Sequence, residues 1–140
     1  MPENVNFEVK HKYDAGVPDI TIDVTLSTGE QQVRLIAKID TGALYCLFTR
    51  EYGEALGLEI ERGEYKELKG INNQVFVTYG HSVSLSVYTL QFDIIAYFAK
   101  DYDITRNVLG RHGWLDRVKL LIVDYDGLLY IGRYDGSEIE

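Results

Sequence analysis

Two runs of period-two alternation, ending together in Asp40-Thr41-Gly42, restrict this chain more than any other feature. Ile20, Ile22, Val24 and Leu26 alternate with Thr21, Asp23 and Thr25, the pattern of a strand that buries one face and solvates the other. Ser27-Thr28-Gly29-Glu30 reads as a turn, and Val33, Leu35, Ala37 and Ile39 bring the chain back. The pair predicts a hairpin whose second strand delivers an acid, Asp40, at its end. A short helix is expected next, from Thr49 as a candidate N-cap with Glu51 behind it to Leu56, and Gly57 is its stop signal.

The rest of the chain also reads as strands. Val75, Val77 and Tyr79 alternate, as do Val83, Leu85 and Val87, and Phe92 to Phe98 has the length of a buried strand; Gly80 and Thr89 to Gln91 punctuate these runs. Arg111 to Arg117 predicts about two helical turns. Val118 to Asp124 and Leu128 to Arg133 flank Tyr125-Asp126-Gly127, a good hairpin signal. A chain of 140 residues buries roughly two-thirds of its unfolded surface. One domain, 1-140, is therefore expected, with its core over about 18-133, a peripheral N-terminal segment and a disordered polar tail from Tyr134 to Glu140.

Composition removes several classes of function. The net charge is −8 and no Lys/Arg cluster interleaves with aromatics, so the electrostatic footprint of a nucleic-acid binder is missing. No run approaches the roughly 18 apolar residues of a membrane span, and Met1 to Lys12 lacks the apolar core of a signal peptide, so a cytoplasmic protein with no membrane partner is expected. Cys46, the lone cysteine, excludes an internal disulfide and a thiolate-rich metal site and reads as a small buried hydrophobe. His11, His81 and His112 have no metal-ligand spacing, which leaves no metal site and no nucleophilic triad. Trp114 is expected to pack against the core or a partner, and Tyr79, Tyr88 and Tyr97 to lie in strands.

A three-residue motif is short enough to arise by chance, and Asp and Gly also suit an ordinary turn, so its context carries the argument. The string Ala37-Lys38-Ile39-Asp40-Thr41-Gly42-Ala43, followed by the apolar patch Leu44 to Phe48, resembles the catalytic loop of retropepsin-like aspartic proteases. Some way downstream, Asn107-Val108-Leu109-Gly110-Arg111 resembles that family's second hallmark, two apolar residues and a glycine entering a short helix. Leu68-Lys69-Gly70-Ile71 with Asn72-Asn73-Gln74 is similar to the hairpin, or flap, that closes over substrate. The resemblance spans about Ile20 to Gly132. It implies an all-β chain with one or two short helices, folded as a closed β-barrel of the acid-protease type.

The resemblance also implies roles. Asp40 would be catalytic, and Thr41 would hydrogen-bond across a two-fold axis to the opposite loop. Gly42 would allow close backbone approach and unusual torsions, with its amide available to a carboxylate, while Ala43 would keep the floor small. Gly70, Ile71 and Asn72 are the flap candidates; Val108, Leu109 and Gly110 would be structural. Retroviral members carry acidic residues where this chain has Leu44-Tyr45, so Arg111 is expected to lack its familiar carboxylate partner.

The chemistry accounts for the arrangement. Peptide hydrolysis without a metal, cysteine or serine nucleophile needs one group to take a proton from water while another donates to the carbonyl oxygen, and two neighbouring carboxylates sharing one proton do both. Only Asp40 has the motif: Asp126-Gly127 and Asp135-Gly136 lack the intervening hydroxyl residue. A second copy must supply the other acid. The implied protein is a homodimeric endopeptidase acting on peptides or proteins with no cofactor, and an extended, apolar substrate segment is expected to lie as an added strand beneath the Gly70 hairpin. The competing readings are a catalytically idle module of the same fold, kept for binding or dimerisation, and an unrelated β-barrel with a coincidental motif.

Overall fold

The structure is a computed structural model and describes residues 5–134. The predicted first hairpin forms as β2 (Thr21–Thr28) and β3 (Gln31–Ile39), with β1 (Val9–Lys12) ahead of it. Pairing runs from Thr21 opposite Lys38 to Thr28 opposite Gln31, so the turn is only Gly29-Glu30. Gly29 lies at φ +54°, where glycine is unstrained, and this tight turn leaves Ser27 and Thr28 free to extend the ladder beyond the expected boundary. Ile22, Val24, Leu26, Leu35, Ala37 and Ile39 are buried, the face that alternation selects.

After the short strand β4 (Leu47–Phe48), helix α1 (Arg50–Ala55) follows Thr49 as expected and ends before Gly57 at φ +80°. Thr49 caps the helix by position only. Its side chain makes no cap hydrogen bond, and its own amide donates to Asn107 Oδ1 at 3.1 Å. The chain continues through β5 (Glu64–Lys69), β6 (Val75–Val87), β7 (Leu90–Ala99), β8 (Val108–Leu109), β9 (Val118–Val123) and β10 (Leu128–Arg133).

Seven strands form one sheet in the order β2-β3-β8-β4-β7-β6-β5, and β2 also pairs with β6, which closes the sheet into a barrel. Phe48, Phe98, Leu85, Leu109 and Trp114 fill it, each fully buried and each worth roughly 1.5–3 kcal/mol of transfer free energy. No helix among the described residues is long and apolar enough to cross a membrane.

Four expectations need correction. Gly80 does not divide two strands: β6 runs unbroken for 13 residues, and Gly80 faces Tyr97 across the sheet. A Cβ there would stand 2.8 Å from the Tyr97 ring, so this glycine makes room for an aromatic neighbour. Tyr88 is not in a strand. It occupies the Tyr88-Thr89 turn at φ +52°, where its hydroxyl lies 2.6 Å from His11 Nδ1, while His11 Nε2 donates to the Thr21 carbonyl at 2.9 Å.

The expected helix over Arg111 to Arg117 shrinks to a 3₁₀ turn at Leu115–Arg117. The Arg111 and His112 amides are committed to the carbonyls of Ala43 and Leu44, and Gly113 at φ +120° leaves helical space. The N-terminal segment is not peripheral either, since β1 pairs with β10 in a second sheet ordered β1-β10-β9, and Val9 joins the core. At the other end the Tyr134 amide bonds the Arg117 carbonyl at 3.0 Å; the remainder of the expected disordered tail, 135–140, lies outside the described residues.

Candidate active site

Strand β3 hands Asp40 to a loop that is held from below. The Asp40 amide donates to the Leu109 carbonyl at 3.0 Å, and Lys38 donates to Asn107 at 2.9 Å, because β8 lies parallel to β3 in the sheet. β8 also pairs with β4, so it threads between the strands entering and leaving the loop. The Gly42 amide donates to Asp40 Oδ1 at 2.9 Å and the Ala43 amide to the Asp40 carbonyl at 3.1 Å. These bonds orient one carboxylate oxygen and leave Oδ2 available.

Gly42 supplies the expected amide but not the expected torsions, for it is absent from the positive-φ glycines. The expected close approach is present: a Cβ would sit 3.3 Å from Asp40 Oδ1. Thr41 is exposed, and its hydroxyl finds no hydrogen-bond partner among the described residues. Ala43 lines the groove above Asp40.

The second motif acts on the loop directly. Arg111 donates to the Ala43 carbonyl at 2.9 Å and His112 to that of Leu44 at 2.7 Å, while a Cβ on Gly110 would stand only 2.3 Å from the Tyr45 carbonyl oxygen. Val108 and Leu109 are buried, and Cys46 beside them is fully buried with Sγ 4.0 Å from the Gly110 carbonyl. Burial pushes the Cys46 thiol up to about 11, so it stays neutral and behaves as the small hydrophobe expected of it. The Arg111 side chain is exposed and has no carboxylate partner among the described residues, as the departure at Leu44-Tyr45 implies.

A groove of about 670 Å³ opens above Asp40, between the loop and the β5–β6 hairpin, with Leu47, Leu68, Phe76 and Val108 in its lining. The hairpin tip is closed by the Gly70 amide donating to the Gln74 carbonyl at 2.7 Å, with Asn72 and Asn73 at φ +64° and +60°. Asparagine tolerates this left-handed backbone better than most residues, which lets the tip form without a glycine run. Of the flap candidates, Gly70 lines the groove and Asn72 is exposed at the tip, away from it; the Ile71 side chain lies outside what the structure describes.

Three groove residues escaped the sequence reading. Arg106 Nη2 lies 3.9 Å from Asp40 Oδ2, with the two side chains 43% and 21% exposed. Lys66, on the groove face of β5, donates to the Tyr45 hydroxyl at 3.2 Å and stands 4.5 Å from the centre of its ring. The hydrogen bond that Lys66 donates to Tyr45 outweighs desolvation and raises the Lys66 pKa. Arg106 directly precedes Asn107-Val108-Leu109-Gly110, a position that could have flagged it; nothing local marks Lys66 or Tyr45, which meet only through the fold.

No protein-family model matches the sequence, and no curated protein matches it. Solved structures do. A retropepsin-like aspartic protease from Rickettsia conorii superposes with a TM-score of 0.56 at 20% identity, over 79% of this chain and 80% of that one. The EIAV protease, complexed with the inhibitor HBY-793, superposes with a TM-score of 0.51 at 18% identity, over 76% of this chain and 88% of that one. With its closed barrel and its Asp-Thr-Gly loop braced by a second glycine motif, the chain has the retropepsin-like fold.

Proposed function

We propose that this chain is one half of an aspartic endopeptidase, in which the Asp40 carboxylates of two copies activate a water molecule between them. The observation that carries the reading is a single acid, anchored by the Gly42 amide on a braced strand end, at the floor of an open groove beneath a hairpin. In the assembled pair, one carboxylate accepts a proton from water as the other, protonated, donates to the scissile carbonyl. The braced loop keeps the two acids within the narrow geometry such transfers require. The unpartnered Thr41 hydroxyl is available to bridge to the other loop.

Residues 1–140 are read here as one domain of a cytoplasmic homodimer. A pair carries twice the −8 charge of one chain, so its interface must rely on apolar and backbone contacts. β9, at the outer edge of its sheet, supports this by presenting Leu121 and Ile122 at 46% and 41% exposure alongside unpaired backbone groups. Substrate is a peptide in extended conformation, lying between floor and hairpin with alternate side chains against the apolar lining.

The test compares the parent with Asp40→Asn. Cleavage of an unstructured protein substrate should fall about a thousandfold or more, because the general base is gone. Sedimentation should find both proteins dimeric. Retained cleavage by the variant would refute the catalytic role of Asp40, and an active parent that is strictly monomeric would refute the shared site. Cleavage by neither protein, with dimerisation intact, would favour the idle module.

A further inference from the structure

Arg106 has an unfinished set of interactions. Its guanidinium carries five donors, yet its side chain touches one acid, Asp40, at 3.9 Å, the outer limit of an ion pair, and makes no hydrogen bond among the described residues. It lines the groove and sits half-exposed there with its charge directed at the reacting acid. Two lysines also line the groove: Lys66 is already engaged by Tyr45, and Lys69 stands at the end of β5 beside the hairpin tip. Glu67, which also lines the groove, is occupied by the Tyr65 hydroxyl, which donates to it at 2.6 Å. The inner face of the groove therefore presents an underused guanidinium, although the chain as a whole is strongly acidic.

Resting on the peptidase reading above, we propose that Arg106 is a specificity residue that selects substrates with an acidic side chain close to the scissile bond. When two Asp40 groups share a proton, one negative charge is spread over both carboxylates and engaged with water, and Arg106 loses much of its hold on its own neighbour. A Glu or Asp on the substrate replaces it, in the planar two-point geometry that suits guanidinium and carboxylate. Distance sets the position. An extended peptide advances about 3.3 Å per residue, so a guanidinium 3.9 Å from the catalytic carboxylate meets side chains within two residues of the cleaved bond. The remaining substrate positions stay apolar, matching Leu47, Leu68, Phe76 and Val108. A Lys or Arg at the selected position is repelled.

The experiment uses the full chain and a set of extended octapeptides of alternating Val and Thr, with Glu, Gln or Lys placed in turn at each of the four central positions. At one position or more, kcat/KM for Glu should exceed that for Gln by about three- to tenfold, the range of a partly exposed charge pair, and the ratio should shrink as salt is raised. Arg106→Gln should bring the ratio to about one, and Arg106→Glu should reverse the order in favour of Lys, a charge exchange that a purely structural role does not produce. A preference unchanged in Arg106→Gln, or absent from the parent, overturns the proposal. Binding of the same peptides, fluorescein-labelled, to Asp40→Asn and to Asp40→Asn/Arg106→Gln separates the two readings by anisotropy. If the parent cleaves nothing but Asp40→Asn binds the Glu peptide more tightly and the double variant does not, the acidic preference stands and the peptidase reading falls. If neither variant distinguishes Glu from Gln while the parent still cleaves, the reverse holds.

Discussion

The floor and the roof of the groove are built on different principles. The floor, from Asp40 to Tyr45, is clamped by backbone hydrogen bonds to Leu109, Arg111 and His112 and lies over fully buried Cys46, Leu109 and Trp114. The roof, β5 and the start of β6, is a two-stranded projection whose outer face is solvated, with Tyr65 and Val75 at 55% and 54% exposure. It is tied to the floor through Lys66 and Tyr45. Many backbone bonds in a dry core open only with the whole fold, whereas a solvated hairpin with few buried contacts opens locally. The proposed peptidase would need both properties, an acid that does not wander and a cover that admits a chain.

One chemical change made on both sides gives the strongest test of this contrast. Gly110→Ala drives a Cβ to 2.3 Å from the Tyr45 carbonyl oxygen, and neither backbone can yield without breaking the clamp. A loss of about 3 kcal/mol in stability by urea unfolding is expected, with displacement of the Asp40 loop. Gly70→Ala meets the Phe76 ring at 3.5 Å and the Gln74 carbonyl oxygen at 3.9 Å, both ordinary contacts, and Gly70 does not need a positive φ. That variant should be unchanged or more stable by about 0.5 kcal/mol, through the reduced freedom of its unfolded chain. Equal losses at the two sites would mean that the roof is as tightly built as the floor.

The smallest effect concerns the tie between them. Lys66 is held charged by its hydrogen bond to Tyr45, so its folded pKa is raised above the ordinary 10.5. A raised lysine contributes stability that is full below the unfolded pKa and lost as pH rises through the folded one. Lys66→Met should therefore unfold at slightly lower urea than the parent at pH 7, and the difference should fade as pH rises above the ordinary lysine value of 10.5. A difference constant across that range would assign the effect to packing of the lysine stem instead.

Much of this was legible in the sequence, for identifiable reasons. Period-two alternation over Ile20–Leu26 and Val33–Ile39 is a local signal read directly by the core, and it set the register, the buried face and the arrival of Asp40 at a strand end. Gly57 and Gly127, at φ +80° and +63°, ended a helix and turned a hairpin where their neighbours predicted. Glycine was also where local reading failed. Gly80 looks like a break and is a seat for the Tyr97 ring; at Gly42 the expected close approach to Asp40 is there but a left-handed backbone is not.

What the sequence by itself determined is the β class, the first hairpin and the position of the candidate acid, since these follow from side-chain period and turn chemistry within a few residues. Only the tertiary structure decided that β1 closes the terminal sheet, that Gly110 clamps the loop across a separation of 65 residues, that Lys66 ties roof to floor, and that Arg106 comes within 3.9 Å of Asp40. Those contacts join residues with no local pattern in common. The Gly110 and Arg106 contacts follow from β8 lying between β3 and β4, and no property of an isolated segment encodes which distant neighbour it will meet.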